Sequence, residues 1–130
     1  MHPQNSEAST ELGKYVGLNA IDGNRNTHWF SKKTEAEPFL IIDKGREGCI
    51  TEVATTFFPL DLPLTLHIES SSDKHTWKKE TEARVTTPLH TSTLPFPSTA
   101  RYFKMKVSES ARGYGSISEV VLLQGAEQQQ

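Results

Sequence analysis

The sequence is short of cysteine, of long apolar runs and of net charge. Its one cysteine, Cys49, cannot form an intramolecular disulfide or build a cysteine zinc site, and we expect it to be a small buried hydrophobe at a strand start. No apolar run approaches the roughly 20 residues that a membrane-spanning helix needs. A formal net charge of −2 gives no overall field that would gather nucleic acid or acidic lipid. These absences exclude a disulfide scaffold and a helical membrane protein, and they predict no nucleic-acid partner.

The chain also lacks the residue sets that enzymes need. It has no Gly-rich phosphate loop and no His-x-x-x-His metal spacing, and its scattered carboxylates have no partners whose spacing specifies chemistry. We therefore predict that the protein is not an enzyme. Its first residues, Met-His-Pro-Gln-Asn-Ser, do not have the charged and then apolar design of a secretory signal.

Sustained helical periodicity is absent too, and the pattern that replaces it is that of an all-β protein. Seven prolines and eight glycines divide the chain into short segments. A length of 130 residues fits one domain, residues 1–130. Apolar runs and alternation predict two sheets packed face to face as a jelly-roll β-sandwich. The predicted strands are residues 39–43, 50–57, 64–68, 103–107 and 117–123, with residues 86–94 at an edge because prolines interrupt and follow them.

Residues 19–31 read Asn-Ala-Ile-Asp-Gly-Asn-Arg-Asn-Thr-His-Trp-Phe-Ser, and we call residues 19–28 the oxygen-rich loop. Calcium takes six to eight oxygen ligands, and Asp22, with neutral oxygens from Asn19, Asn24 and Thr27, could supply several of them. Gly23 permits a tight turn. One carboxylate is too little charge for a tight site, so we expect a second acid from elsewhere. The alternative is that Asp22 and Asn24 form an ordinary Asx turn.

Four segments, in this order, resemble discoidin domains, the coagulation factor V/VIII C-type family that includes the family 32 carbohydrate-binding modules. They are Ala20-Ile-Asp-Gly-Asn-x-x-Thr-x-Trp-x-Ser31, Ile68-Glu-Ser-Ser-Ser-Asp-Lys-His-Thr-Trp77, Ala100-Arg-Tyr-Phe-Lys-Met-Lys-Val107 and Gly113-Tyr-Gly-Ser-Ile-Ser-Glu-Val-Val-Leu-Leu-Gln-Gly125. The resemblance covers nearly the whole chain and implies the same β-sandwich.

The resemblance also implies which acid completes the oxygen-rich loop. In related carbohydrate modules an acid of the closing Ser-x-x-Glu strand reaches this loop, and here that acid is Glu119. A carboxylate within an apolar strand is costly unless it is paired or metal-bound, which supports the assignment. We therefore predict a structural calcium. The alternative is that Glu119 pairs with Arg25 or Arg101.

Three loops, residues 30–38, 58–63 and 108–115, are the candidates for ligand binding, since the resemblance implies that they converge on a shallow sugar site. An aromatic ring near the start of the last strand commonly stacks on the sugar there, and Tyr114 has that position. Arg112 beside it, with Lys32 and Lys33 from another loop, would suit an acidic sugar such as a uronate, because arginine grips carboxylates bidentately. The alternative is that Tyr114 packs in a turn and the lysines are ordinary solvated charges.

The histidines and tryptophans do not extend this predicted site. His28 lies in the oxygen-rich loop, His67 faces out of a strand and His75 lies in a turn, so the histidines expected of many galactose-binding members are hard to place. Trp29 and Trp77 are expected to pack in the core, as they do in the resembled family.

The sequence thus predicts a non-catalytic carbohydrate-binding module. The alternative is a discoidin-type protein-interaction or phospholipid-binding module of a larger assembly. Apolar residues in 57–64 could dip into lipid, but Asp61 is expected at the tip, where anionic headgroups would repel it. The expected partners are a carbohydrate and a parent enzyme or other protein, and the chain itself is expected to be a monomer. The family implies a secreted, periplasmic or extracellular protein, although the terminal disulfide of many animal members is missing.

Overall fold

A computed structural model describes residues 5–24, 26–33, 37–45 and 48–124. In that part of the chain the regular elements are β-strands and two short 3₁₀ turns. The strands are β1 (Asn5–Ala8), β2 (Trp29–Phe30), β3 (Phe39–Asp43), β4 (Ile50–Thr56), β5 (Leu64–Ser71), β6 (Lys78–Val85), β7 (Leu89–Ser98), β8 (Tyr102–Ser108), β9 (Ser116–Ile117) and β10 (Glu119–Gln124), and the 3₁₀ turns are Gly17–Ile21 and Pro59–Asp61.

The strands form two main antiparallel sheets that share one core, which confirms the predicted β-sandwich. The first sheet has the order β1-β3-β8-β5-β6, the second has the order β10-β4-β7, and β2 pairs with β9 in a short ribbon. All the predicted strands are present, with β7 at a sheet edge as its prolines require. The described residues contain no helix that is long and apolar enough to cross a membrane.

Strand β6 was not predicted from the sequence, and its composition explains why. Its residues are Lys-Lys-Glu-Thr-Glu-Ala-Arg-Val, of which only Glu80 and Val85 are buried. Backbone pairing with β5 fixes it as an edge strand, from Leu64 opposite Val85 to Ser70 opposite Lys78. Hydrogen bonding to a neighbour, rather than an apolar face of its own, therefore defines this strand.

Alternation along the central strands builds the core. On β8 every second residue is buried and the intervening ones are half-buried, as period-2 patterning requires. On β5 the inward apolar residues Leu64, Leu66 and Ile68 are buried, and Thr65 and Ser71 on the other face are buried as well. The second sheet contributes Val53, Val120 and Leu122 to the same cluster. Cys49 is half-buried rather than buried, because it lies just before β4 and outside this cluster.

The two tryptophans differ, and only one matches the prediction. Trp29 is fully buried in the core and its Nε1 donates to the Thr10 carbonyl oxygen at 2.9 Å. Trp77 is half-buried and lies outside the core cluster, with the Lys104 ammonium 4.2 Å from its ring centroid. The prediction of core packing for Trp77 is therefore wrong, because the ring covers a lysine side chain on the outer face of the sheet in a cation–π contact.

The strand register brings the candidate ligand loops together at one end of the sandwich. Thr65 pairs with Ser108, so the loop before β5 and the loop after β8 start side by side. A third segment joins them where the Ser31 N–H donates to the Gly115 carbonyl oxygen at 2.7 Å. At Gly115 a Cβ atom would lie 2.5 Å from Cγ of Pro38, so this close approach requires glycine.

Candidate functional site

A cleft of about 710 Å³ opens at the end of the sandwich where these loops meet. Its lining comes from four segments that are distant in the sequence. They are the region around Leu12 to Tyr15, the oxygen-rich loop with Phe30 beyond it, the loop that contains Phe58, and the loop that contains Arg112 and Tyr114. The cleft is therefore the natural place for a ligand of this domain.

Aromatic rings form the floor of the cleft around Phe30. The Phe30 ring centroid lies 4.8 Å from that of Tyr15, 5.6 Å from that of His28, 5.8 Å from that of Phe58 and 6.1 Å from that of Tyr114. Phe30 is nearly buried and so fixes the other rings, whereas Tyr114 is half-buried and borders the opening. The floor offers flat apolar surfaces with polar tips.

Asp61 and Arg112 form an ion pair in which Arg112 borders this floor and Asp61 is buried. The Arg112 Nε donates to Oδ1 of Asp61 at 2.8 Å and its Nη2 donates to Oδ2 at 3.3 Å. Ser116 Oγ also donates to Oδ2 at 2.7 Å, and Asp61 is 0% exposed. The hydrogen bonds to Asp61 raise the pKa of the Arg112 guanidinium above its ordinary value. The expectation of a solvent-exposed Asp61 at a loop tip is therefore wrong, because the chain turns this carboxylate inward onto Arg112.

The predicted ligand residues do not all meet. Tyr114 and Arg112 both line the cleft, and the Arg112 guanidinium carbon lies 5.5 Å from the Tyr114 ring centroid. Lys33 joins them at the edge, with its Nζ 5.7 Å from the same centroid. Lys32 is exposed and does not line the cleft, and its main-chain N–H donates to Thr10 Oγ1 at 3.0 Å.

His28 lines the cleft, although the sequence had placed it only within the oxygen-rich loop. Its ring lies 5.0 Å from that of Phe58, and its Nδ1 lies 2.6 Å from Ser118 Oγ. Burial lowers the pKa of His28, and the negative charges of Asp61 and Asp22 oppose that effect in part. The sequence signal that could have placed His28 in the cleft is its position, since it directly precedes β2, whose Phe30 forms the cleft floor.

The oxygen-rich loop gathers acceptors around one hydroxyl. Thr27 Oγ1 lies 2.9 Å from the Asn24 carbonyl oxygen and 3.4 Å from the Asn19 carbonyl oxygen, and it is also hydrogen-bonded to Oδ2 of Asp22. A hydroxyl has one proton, so it cannot satisfy three acceptors at once. The side-chain Oδ1 of Asn24 instead accepts the Asn26 N–H at 2.9 Å, so Asn24 presents its main-chain oxygen to the cluster.

Glu119 reaches this loop, as the resemblance implied. It is 5% exposed at the start of β10, and its two carboxylate oxygens lie 3.2 and 3.3 Å from the Gly23 nitrogen, whose N–H they share. Arg101, one alternative partner, pairs with Asp43 at 3.0 Å instead, and Arg25, the other, lies outside the described residues.

The oxygen atoms of the oxygen-rich loop and of Glu119 are of the types that a hard cation takes as ligands. They comprise two carboxylates, a hydroxyl and two main-chain carbonyl oxygens, the ligand types that calcium takes. The described residues contain no group of three or more His, Cys, Asp or Glu side chains that could hold a metal. An ion here would therefore take most of its ligands from neutral oxygens.

A family model described as the F5/8 type C domain matches residues 5–120. Among solved structures, the chain is similar to the family 32 CBM from C. perfringens NanJ in complex with galactose (22% identity, TM-score 0.82, 91% of each chain covered). It is also similar to the CBM32 of AlyQ in complex with 4,5-unsaturated mannuronic acid (22% identity, TM-score 0.82, 96% of this chain and 99% of that one). A third is a pectin binding carbohydrate binding module (20% identity, TM-score 0.81, 95% and 92% covered). No curated protein sequence matches the chain.

Proposed function

The chain belongs to the F5/8 type C domain family, and on that premise we propose that it is a non-catalytic carbohydrate-binding module whose cleft holds a glycan. The observation that carries this proposal is the aromatic floor around Phe30, bordered by Tyr114. A sugar ring has apolar C–H faces and hydroxyl edges, and flat rings with polar tips complement both. The similar structures in complex with galactose and with an unsaturated mannuronic acid, and the pectin binding module, support the class of ligand but not its identity.

Each part of the cleft has a role in this proposal. The half-buried Tyr114 stacks on the sugar, with Phe30 fixing its orientation from below. Polar side chains of the lining, Asn26, Thr27 and His28, offer hydrogen-bonding groups to the hydroxyl edge of the ring. Lys32 lies outside the cleft and would act only on a longer chain.

An acidic glycan is a second candidate ligand, favoured by the lysines at the cleft edge. The Lys33 ammonium lies over the Tyr114 ring, and Lys14 lines the cleft. Arg112, which the sequence suggested as the carboxylate grip, has Nε and Nη2 engaged by Asp61. An acidic group would therefore meet Lys14 or Lys33 rather than the guanidinium.

We also propose that the oxygen-rich loop holds a structural calcium. Its ligands would be the main-chain oxygens of Asn19 and Asn24, the Asp22 and Glu119 carboxylates and the Thr27 hydroxyl. When bound, the ion supplies the positive charge that these acceptors share. Because these ligands all come from the protein, the ion would have a structural role.

A lipid surface is the alternative ligand, and one observation favours it. Leu60 is 61% exposed in the loop that contains Phe58, and the buried Asp61 next to it no longer opposes insertion. Co-sedimentation with phosphatidylserine vesicles, with and without calcium, tests this alternative. Binding that Leu60→Ser abolishes and Tyr114→Ala leaves intact would replace the carbohydrate proposal.

The test of the carbohydrate proposal is a glycan array of neutral and acidic polysaccharides, run on the wild type, Tyr114→Ala and Tyr102→Ala. Tyr102 is the matched control, because it is a half-buried tyrosine on β8 at the opposite end of that strand from the cleft loops. We expect wild-type binding that only Tyr114→Ala loses. Absence of binding to every glycan by the wild type would overturn the proposal, as would equal losses in both variants.

A further inference from the structure

Arg112 is the residue that would decide whether the cleft floor accepts a charged sugar, and its surroundings limit that role. We infer that Asp61 determines the charge class of the ligand by compensating Arg112, so that the floor of the cleft selects neutral sugar rings. This inference rests on the proposed function, because it concerns the same cleft. Asp61 acts through Arg112 and is a positioning residue that need not touch the sugar.

The first argument is geometric. Arginine recognises a carboxylate with two parallel N–H groups, and here Nε and Nη2 already meet both oxygens of Asp61 at 2.8 and 3.3 Å. The Nε–Nη2 edge of the guanidinium is therefore occupied, and a uronate could approach only the Nη1 end. A ligand carboxylate could replace Asp61 only by leaving that buried carboxylate without its partner, which is costly.

The second argument is that Asp61 is held in place. It is 0% exposed, Ser116 Oγ donates to its Oδ2 at 2.7 Å, and its carbonyl oxygen accepts the Ala111 N–H at 3.1 Å. The carboxylate therefore cannot turn away when a second anion approaches. An incoming carboxylate would meet a guanidinium whose positive charge Asp61 already offsets, so the net attraction is reduced.

The third argument is what Arg112 still offers. Its side chain is 39% exposed, and the guanidinium carbon lies 5.2 Å from the Phe58 ring centroid and 5.5 Å from that of Tyr114. The guanidinium thus extends the aromatic floor as a planar surface with little net charge. Such a surface suits the C–H face of a neutral sugar. Among the cations around Tyr114, Lys33 at the edge remains to meet an acidic substituent on a neighbouring sugar.

Acetate is a minimal carboxylate probe that tests this inference without requiring a known glycan. Titration of the wild-type protein by NMR, read at the Arg112 Nε–H signal, should give no saturable shift. In Asp61→Asn the side-chain shape is kept and the countercharge is lost, so we expect a saturable shift, with acetate binding at Arg112 at least about tenfold more tightly than the limit that the wild-type titration sets. Ser116→Ala is the matched control, because it removes a hydrogen bond to the same carboxylate and keeps the charge; it should behave as the wild type does.

Three outcomes would overturn the inference. These are a saturable acetate shift of Arg112 Nε–H in the wild type, no gain in Asp61→Asn, or an equal gain in Ser116→Ala. If Asp61→Asn does not fold, a saturable shift in the wild type would still overturn the inference. Failure of the glycan array would remove the proposed function and leave the acetate result standing, so the two failures are distinguishable.

Discussion

Two loops at the cleft end of this domain are each reached by a buried carboxylate from a distant part of the chain. Asp61 reaches the loop after β8, and Glu119 reaches the oxygen-rich loop. Asp61 meets a guanidinium and a hydroxyl, whereas Glu119 meets the main-chain N–H of Gly23 in a loop where three acceptors share the Thr27 hydroxyl. One loop thus carries its own countercharge, and the other gathers acceptors that suit a cation. A buried carboxylate contacts each loop, and the groups around that carboxylate determine whether the loop suits a bound cation.

Removal of Asp61 should destabilise the protein more than any other change to the two loops. Asp61→Ala leaves Arg112 without its buried partner and should destabilise the protein by about 3 kcal/mol, the lower end for a broken buried pair because water can reach the guanidinium. Urea unfolding measures this loss. The control is Asp43→Ala, which breaks a more exposed pair with Arg101 and should cost about 1 kcal/mol or less. Equal losses would mean that the burial of Asp61 contributes little.

Calcium should act on the oxygen-rich loop alone. We expect calcium to raise the melting temperature, because it binds only the folded chain. At a calcium concentration one hundred times the dissociation constant, the free energy of unfolding should rise by about 2.7 kcal/mol. Asp22→Ala should remove most of that gain. Asp73→Ala, which removes a carboxylate from a different turn, should retain it. Identical melting in calcium and in chelator would leave the loop as a plain turn.

Alanine substitution of one glycine in each loop, Gly115 and Gly23, should cost different amounts of stability. A Cβ at Gly115 would meet Pro38 at 2.5 Å, so Gly115→Ala should cost about 2 kcal/mol through overpacking. Gly23 has φ +78° and no atom within 4 Å of an added Cβ, so Gly23→Ala should cost about 1 kcal/mol from the backbone alone. Urea unfolding of the two variants measures both losses of stability, and we expect the loss at Gly115 to be about twice that at Gly23. A larger loss at Gly23 would contradict the packing argument.

A third loop, the turn at Asp73, should show the smallest effect. The main-chain N–H groups of Thr76 and His75, with the Ser71 hydroxyl, lower the pKa of Asp73 from 3.8 to about 2. Because the folded-state pKa is depressed, the stability from this group is present above about pH 4 and is lost as the pH falls towards about 2. Asp73→Asn should flatten the pH dependence of the urea midpoint in that window. Parallel profiles for variant and wild type would refute this assignment.

Local patterns in the sequence were sufficient for much of the fold and for the oxygen-rich loop. Alternation predicted the central strands, and the family resemblance, supported by the cost of a carboxylate in an apolar strand, implied Glu119. The cleft was harder, because its floor depends on partners far apart in the chain, such as Asp61 and Arg112. Nothing in the sequence around Asp61 shows that Arg112 would turn it inward. Strand β6 and Trp77 were missed for the same reason, since a neighbouring strand and Lys104 decide their environments.

The oxygen-rich loop is also one wall of the cleft, since Asn19, Thr27 and His28 line it. A calcium ion in the loop and a sugar in the cleft would therefore contact the same segment of the chain. In thermodynamic terms the two binding events would be linked, and whatever factor calcium applies to the affinity for a sugar, the sugar must apply to the affinity for calcium. A module built this way would hold its glycan with an affinity that depends on the local calcium concentration.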